Sequence, residues 1–165
     1  MCELTTYINL GCDEAGGVDT WYAFSAIDAN GESNIDTLTV ANGECTALTL
    51  KSGKYAYGIK VEQETSSFTD TAIGERANSS YAREQSATVV LAKNTAETIA
   101  EIENMCKGRT IWIAKLNDGT YEVLFLEKGG KANDERASGT AFDDLNGNTI
   151  TITGRTTYKA PKISC

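Results

Sequence analysis

The chain has 165 residues, 41% of them hydrophobic and 23% charged. That is enough for one well-formed core, too short to argue for two domains, and too apolar for wholesale disorder. The formal net charge of −8 comes with no basic patch, so attractive binding to nucleic acid is disfavoured. There is no histidine, which removes the commonest general base and metal ligand and rules out Ser-His and Cys-His nucleophile pairs.

The first residues, MCELTTYINLGCDE, carry neither a basic stretch nor an apolar run, so they do not read as a secretion signal. Cys2 lacks the apolar stretch that a lipoprotein needs before its cysteine. No run approaches bilayer-spanning length, and the expectation is a protein made in a cytoplasm and soluble there. Short strands separated by turns then fill the first 60 residues. Thr20 to Ile27 sets Trp21, Ala23 and Ser25 against Tyr22, Phe24 and Ala26, and ends at the Asn30-Gly31 turn. Ile35 to Val40 stops at Asn42-Gly43, and Thr46 to Leu50 at Ser52-Gly53. Lys54 to Glu62 places Tyr55, Tyr57, Ile59 and Val61 on one face, the pattern of a half-buried strand.

Residues 63–86 are polar, with Phe68, Ile73 and Tyr81 as their large apolar groups, and read as a loop too long for an ordinary connection. A strand follows at Ala87 to Ala92. Thr95 to Lys107 is predicted to be helical, with Asn94 as N-cap, Glu97 completing a capping-box-like pair and Gly108 in the C′ position. Ala96, Ile99, Ile102, Met105 and Cys106 fall on one face at spacings of three and four. The turn Asn117-Asp118-Gly119 joins Thr110 to Leu116 and Thr120 to Leu126 in a hairpin; residues 127–139 are polar and turn-rich. The last strand is Asn148 to Arg155, and residues 158–165 are expected to form an extended C-terminal arm. About nine strands and one helix result, and they predict a single mainly-β domain over residues 1–165: two packed antiparallel sheets, a sandwich or barrel, with a flanking helix.

Chemistry-bearing patterns are sparse. Adjacent carboxylates, Asp13-Glu14 and Asp143-Asp144, point to opposite faces of a strand and do not converge. Lys51 to Gly58 lacks phosphate-loop spacing and no helix follows it. Asp144 to Asn148 begins like a calcium loop, but the twelfth position is Arg155, so it reads as a turn, as does Asp28 to Glu32. Cys2, Cys12, Cys45, Cys106 and Cys165 form no CxxC pair and read as reduced, mostly core-filling thiols, with Cys165 the most exposed. Trp112, between Ile111 and Ile113, reads as core. No enzyme activity, cofactor or metal site is expected.

One segment carries a resemblance. Helix, glycine, strand, DG hairpin and polar loop lead into Ser138-Gly139-Thr140-Ala141, then Asp144-Leu145-Asn146-Gly147-Asn148-Thr149-Ile150-Thr151 and Gly154. Residues 94–160 are thereby similar to the tail tube (major tail) proteins of tailed phages of Bacteroidetes, in which an aromatic usually stands where this chain has Asn148. The resemblance implies a virion protein of the phage tail, made in the bacterial host cytoplasm, whose copies form stacked hexameric rings. Their sheets would join into a continuous inner barrel through which DNA passes without specific binding. A long loop locks adjacent rings in that family, and residues 63–86 are the match, with Phe68, Ile73 and Tyr81 as inter-subunit anchors. Deleting residues 65–83 would then leave a folded subunit unable to stack. Partners are identical copies and other tail proteins, with no membrane. Other readings are a tail terminator, baseplate or head decoration protein, or a carbohydrate-binding β-sandwich using Tyr55 and Tyr57.

Overall fold

The strand-forming signal is strongest around the two tryptophans, and they lie at the centre of the molecule. A computed structural model describes residues 16–92 and 94–164. In chain order it has β1 (Val18–Ser25), β2 (Ile35–Ala41), β3 (Glu44–Leu50), β4 (Tyr57–Lys60), β5 (Ser67–Ile73), β6 (Ala82–Leu91), helix α1 (Ala96–Lys107), β7 (Thr110–Leu116), β8 (Tyr121–Leu124), β9 (Lys131–Ala137), β10 (Gly147–Thr156) and β11 (Lys162–Ile163). Among the described residues they form a seven-stranded sheet, ordered β2-β3-β11-β8-β7-β1-β4, and a four-stranded sheet, ordered β5-β6-β10-β9. Every pairing is antiparallel except that of β11 with β3. The expected class, mainly β with one helix beside two packed sheets, is what the chain adopts.

The main core lies between the sheets. Trp21 and Ala23 of β1 and Trp112 and Ala114 of β7 meet Ala87 and Val89 of β6 and Ile150 and Ile152 of β10, with Ile102 of α1 closing one side. The tryptophan rings meet edge to face, 5.8 Å apart, and Phe68 stacks in the same way on Trp21 at 6.1 Å. Burial leaves their N–H groups no access to water, so each has an internal acceptor: Trp21 donates to Ser66 Oγ at 3.1 Å and Trp112 to Thr110 Oγ1 at 2.8 Å. On the other face of the larger sheet, Phe24 of β1, Ile111 of β7 and Val123 of β8 form a second core with Leu38, Val40, Leu48 and Ile163. The seven-stranded sheet therefore buries both faces, its β2–β3 end coiling back over its own centre.

Four sequence expectations need correction. Residues 63–86 are not a long loop: they contain β5 and the start of β6, joined by a short connection with a 3₁₀ turn at Arg76–Asn78. These strands carry no apolar alternation in the sequence because the polar residues Asp70, Arg83 and Gln85 point inward. The deletion of 65–83 would remove a whole strand of the sheet rather than a tether. Residues 158–165 are not a free arm: Pro161 is buried, and β11 inserts between β3 and β8, joining the β2–β3 hairpin to the rest of its sheet. Residues 127–139 contain β9, an edge strand in which Ala132 alone is fully buried. Of Lys54 to Glu62, strand geometry holds for Tyr57–Lys60; Tyr55 and Tyr57 are 67% and 69% exposed, while Ile59 and Val61 pack on the core.

The helix forms where expected, but of its apolar face Ile102 is buried, Met105 and Cys106 are half-buried, and Ala96 and Ile99 are exposed; its two caps also differ from expectation. Thr95, not Asn94, is the N-cap, its Oγ1 accepting from the Thr98 N–H at 3.2 Å. Gly108 caps the C-terminus in extended geometry, donating its N–H to Asn104 O. Two other glycines are dictated by close approach. A Cβ at Gly130 would stand 2.6 Å from Ile152 Cγ2 and 2.8 Å from Phe125 Cγ, and one at Gly154 would stand 2.9 Å from Phe125 Cδ1. The Phe125 ring occupies the space those side chains would need.

Candidate assembly surfaces

The three residues expected to anchor neighbouring subunits are placed apart. Phe68 is a core residue on Trp21, Ile73 is half-buried at the end of β5, and Tyr81 is exposed, its hydroxyl accepting from Arg83 Nη1 at 3.2 Å. Phe68 is thus committed to its own subunit. Asp143 is exposed, and the Asp144 carboxylate is used locally: it accepts from the Ala141 and Thr140 N–H groups, both at 2.8 Å. Those bonds hold it below the usual carboxylate range, the Ala141 N–H most of all. Residues 140–144 are therefore a self-capped turn; Asp143 and Asp144 lie in it rather than on a strand, and the turn expected over Asp144 to Asn148 lies ahead of that segment, whose Gly147 and Asn148 already belong to β10. Asp13, Glu14, Cys2, Cys12 and Cys165 lie outside the described residues. Among the described residues no group of three or more potential metal ligands converges.

Surfaces carry more information than side-chain clusters. Among the described residues, β2, β4, β5 and β9 each pair on one side only. Such edges present unpaired N–H and C=O groups, a template for another strand. β2 departs from regular pairing at two irregularities, which twist an edge away from partners. β5 and β9 pair in unbroken register over their full seven residues. Because β5, β6, β10 and β9 alternate in direction, β5 and β9 run oppositely. A second copy added head to tail would therefore set β9 antiparallel to β5.

The four-stranded sheet also has two unlike faces. Its inner face supplies Ala87, Val89, Ile150 and Ile152 to the core. Its outer face is rich in short hydroxyl side chains, with Ile73, Val90 and Asn133 on the same side. β5 contributes Ser67, Thr69 and Thr71; β6 contributes Ser86 and Thr88; β10 contributes Thr149, Thr151 and Thr153. Strand register aligns them in rows: Thr151 stands opposite Thr88, which stands opposite Ser67, and Thr153 opposite Ser86, which stands opposite Thr69. The charged residues on this face are Glu84, Arg155, Lys131 and Glu135, two of each sign, with Arg155 Nε 3.9 Å from Glu84.

The inner side of the same sheet holds the C-terminal segment. Asp70 accepts from Arg83 Nε at 2.7 Å and from the Ala160 N–H at 2.8 Å, both side chains being nearly buried. The Asp70 bond, and then that to Tyr81, holds Arg83 still more firmly in its charged form. Gln85, fully buried, accepts from the Phe125 N–H at 2.7 Å and donates to Tyr158 O at 3.4 Å. These bonds clamp the strap that carries β11 into the larger sheet.

Two recesses complete the picture. An open groove of about 1290 Å3 runs between β4 and α1, lined by Tyr55, Tyr57, Ile59, Leu91, Met105 and the buried Asn34. Asn34 Oδ1 has no hydrogen-bond partner among the described residues. A smaller recess of about 320 Å3 lies between α1 and β9, where Cys106 Sγ stands 3.5 Å from Asp134 Oδ1. Burial first, and the Asp134 carboxylate second, push that thiol above its ordinary pKa, so it is a poor nucleophile. In comparisons with protein-family models, curated proteins and solved structures, nothing matches the chain.

Proposed function

We propose that the chain is a non-enzymatic structural subunit whose copies join through the four-stranded sheet into stacked rings, forming the tail tube of a phage. The observation that carries this reading is the pair of regular, seven-residue edges β5 and β9, which run in opposite directions on one sheet. Head-to-tail contact through unlike edges closes a ring when the rotation closes, and each added copy satisfies the backbone groups of the last. The rings would be hexameric, by the family resemblance of residues 94–160, and would sit in the virion beside other tail proteins with DNA passing through. Ring-to-ring locking falls to surfaces other than residues 63–86, which are spent on the sheet.

Negative-stain microscopy of the purified protein at high concentration tests the reading. Stacked sixfold rings or tubes are expected. Isolated trimers would favour a head decoration protein instead, and a strict monomer would end the assembly reading.

A second reading is supported by the β4 groove. Two exposed tyrosines two residues apart, beside a buried acceptor without a partner, suit the stacking and hydrogen bonding by which sugars are held. Glycan binding by a monomer, lost in Tyr55→Ala and Tyr57→Ala, would favour that carbohydrate-binding module.

A further inference from the structure

We propose that the groove between β4 and α1 takes an extended strand of a partner protein, one in which apolar residues alternate with basic ones. The proposal stands apart from the ring assembly, which uses β5 and β9, and concerns an edge that such assembly leaves free. It also gives the groove a different occupant from the sugar considered above, because an open backbone edge serves a strand and not a sugar.

The first argument is the backbone. β4 ends the seven-stranded sheet and pairs only with β1, from Thr20 with Lys60 to Ala23 with Tyr57. Residues 57–62 line the groove without a break, Gly58 among them. Side chains of a strand alternate between its faces, so consecutive residues border a space only where the strand's edge does. That edge carries N–H and C=O groups that an added strand would pair, the β-augmentation by which extended peptides are held. β4 has four residues, which offer about 13 Å of edge at about 3.3 Å per residue. Across the groove α1 forms the other wall with Glu97, Glu101 and Met105, so a strand laid on β4 is bounded on its far side by the helix.

The second argument is chemical. The floor is apolar where Ile59, Val61 and Leu91 pack on the main core, and it suits an apolar side chain at every second position of the guest. The charged residues of the walls are Asp28, Glu62, Glu97 and Glu101 against Lys54 and Lys60. Glu97 and Glu101 stand one turn apart on α1, both exposed and neither in an ion pair among the described residues. Like charges at that spacing disfavour a helix, and a cation beside them offsets the cost. Asn34, just before β2, adds a buried acceptor: its Nδ2 donates to Ser25 O at 2.8 Å, while its Oδ1 has no hydrogen-bond partner among the described residues. A guest rich in Lys or Arg brings both cations and N–H donors. Copies of this chain suit the groove poorly. The open strands β2 and β5 have no Lys or Arg, β9 sets Asp134 and Glu135 against Lys131 and Arg136, and the whole chain carries −8.

Fluorescence anisotropy with two labelled peptides, one alternating lysine with valine and one alternating glutamate with valine, tests the proposal. The lysine peptide is expected to bind the full chain, more weakly as salt rises, and the glutamate peptide is not. Glu97→Gln with Glu101→Gln should weaken the lysine peptide about tenfold and leave the thermal melt in place, since both side chains are exposed. The lysine peptide N-methylated at every residue keeps its side chains, loses the N–H groups that pairing with β4 needs, and should not bind. Added lysine peptide should slow amide exchange within Tyr57–Lys60. Equal binding of the two peptides, or undiminished binding by the double Gln variant, overturns the proposal. So does undiminished binding of the N-methylated peptide, or exchange protection confined to β5 or β9. Binding of neither peptide overturns it as well, and glycan binding lost in Tyr55→Ala and Tyr57→Ala would then give the groove to the sugar reading. Each of these outcomes leaves the assembly reading intact, which rings or tubes decide separately.

Discussion

The two sheets use strands in different ways. The seven-stranded sheet buries both faces: Trp112 and Ala114 point into the main core while Ile111 of the same strand points into the second. The four-stranded sheet buries one face and shows water a lattice of Thr and Ser. Its inner face is itself partly polar, with Asp70, Arg83 and Gln85 paired there. The larger sheet is thus the stability reservoir, while the smaller one is a surface with a core attached. Substitutions that break this contrast should rank by how far they reach into burial.

The largest effect belongs to the larger sheet. Trp112→Ala should cost about 3–5 kcal/mol in urea denaturation, since a fully buried indole and its contact with Trp21 are removed. Asp70→Ala should cost about 3 kcal/mol, because it leaves Arg83 and the Ala160 N–H without their partner. The double variant Asp70→Leu with Arg83→Met should lose less than Asp70→Ala alone, which sharpens the claim that the cost on the inner face comes from leaving Arg83 buried without its partner rather than from losing the pair. Gln85→Leu should cost about 1–3 kcal/mol by leaving the Phe125 N–H without an acceptor, and should speed amide exchange in the strap ahead of β11.

A pH effect comes next. Glu122 on β8 is half-buried, and burial raises its pKa above the ordinary carboxylate value despite the nearby Lys162. The folded state then holds its proton longer than the unfolded chain does. Its contribution is most favourable at low pH and is lost as pH rises through the carboxylate range. Glu122→Gln should therefore gain stability over the parent at neutral pH and no longer show that decline in a pH series of thermal melts. The smallest effect belongs to the outer face. Thr153→Ser should change stability by less than about 0.5 kcal/mol, since that side chain is exposed.

The same contrast governs what could be read from the sequence. The hairpin of Thr110 to Leu126 and the run at Val89 to Leu91 were legible because burial forces apolar residues into a strand period. The helix was legible from caps and spacing together, though the choice between Asn94 and Thr95 as cap lay beyond composition. β5 and β9 were missed for one reason: a strand with hydroxyls outside and paired polar groups, or a lone Ala132, inside has no apolar alternation to find. β11 was missed because two residues carry no period, and its place depends on contacts from Asp70 and Gln85 far along the chain. The surfaces proposed for assembly are built from those weakly marked strands. The hydroxyl face left a trace in Thr149-Ile150-Thr151-Ile152-Thr153, but its extension across three strands is a matter of register.

The most direct test of the account is a cryo-electron microscopy reconstruction of the assembled protein, at a resolution that traces strands across the subunit boundary. The account predicts β5 of one copy hydrogen-bonded antiparallel to β9 of the next in a closed ring. Rings whose subunits meet elsewhere, with β5 and β9 both left open, would contradict it.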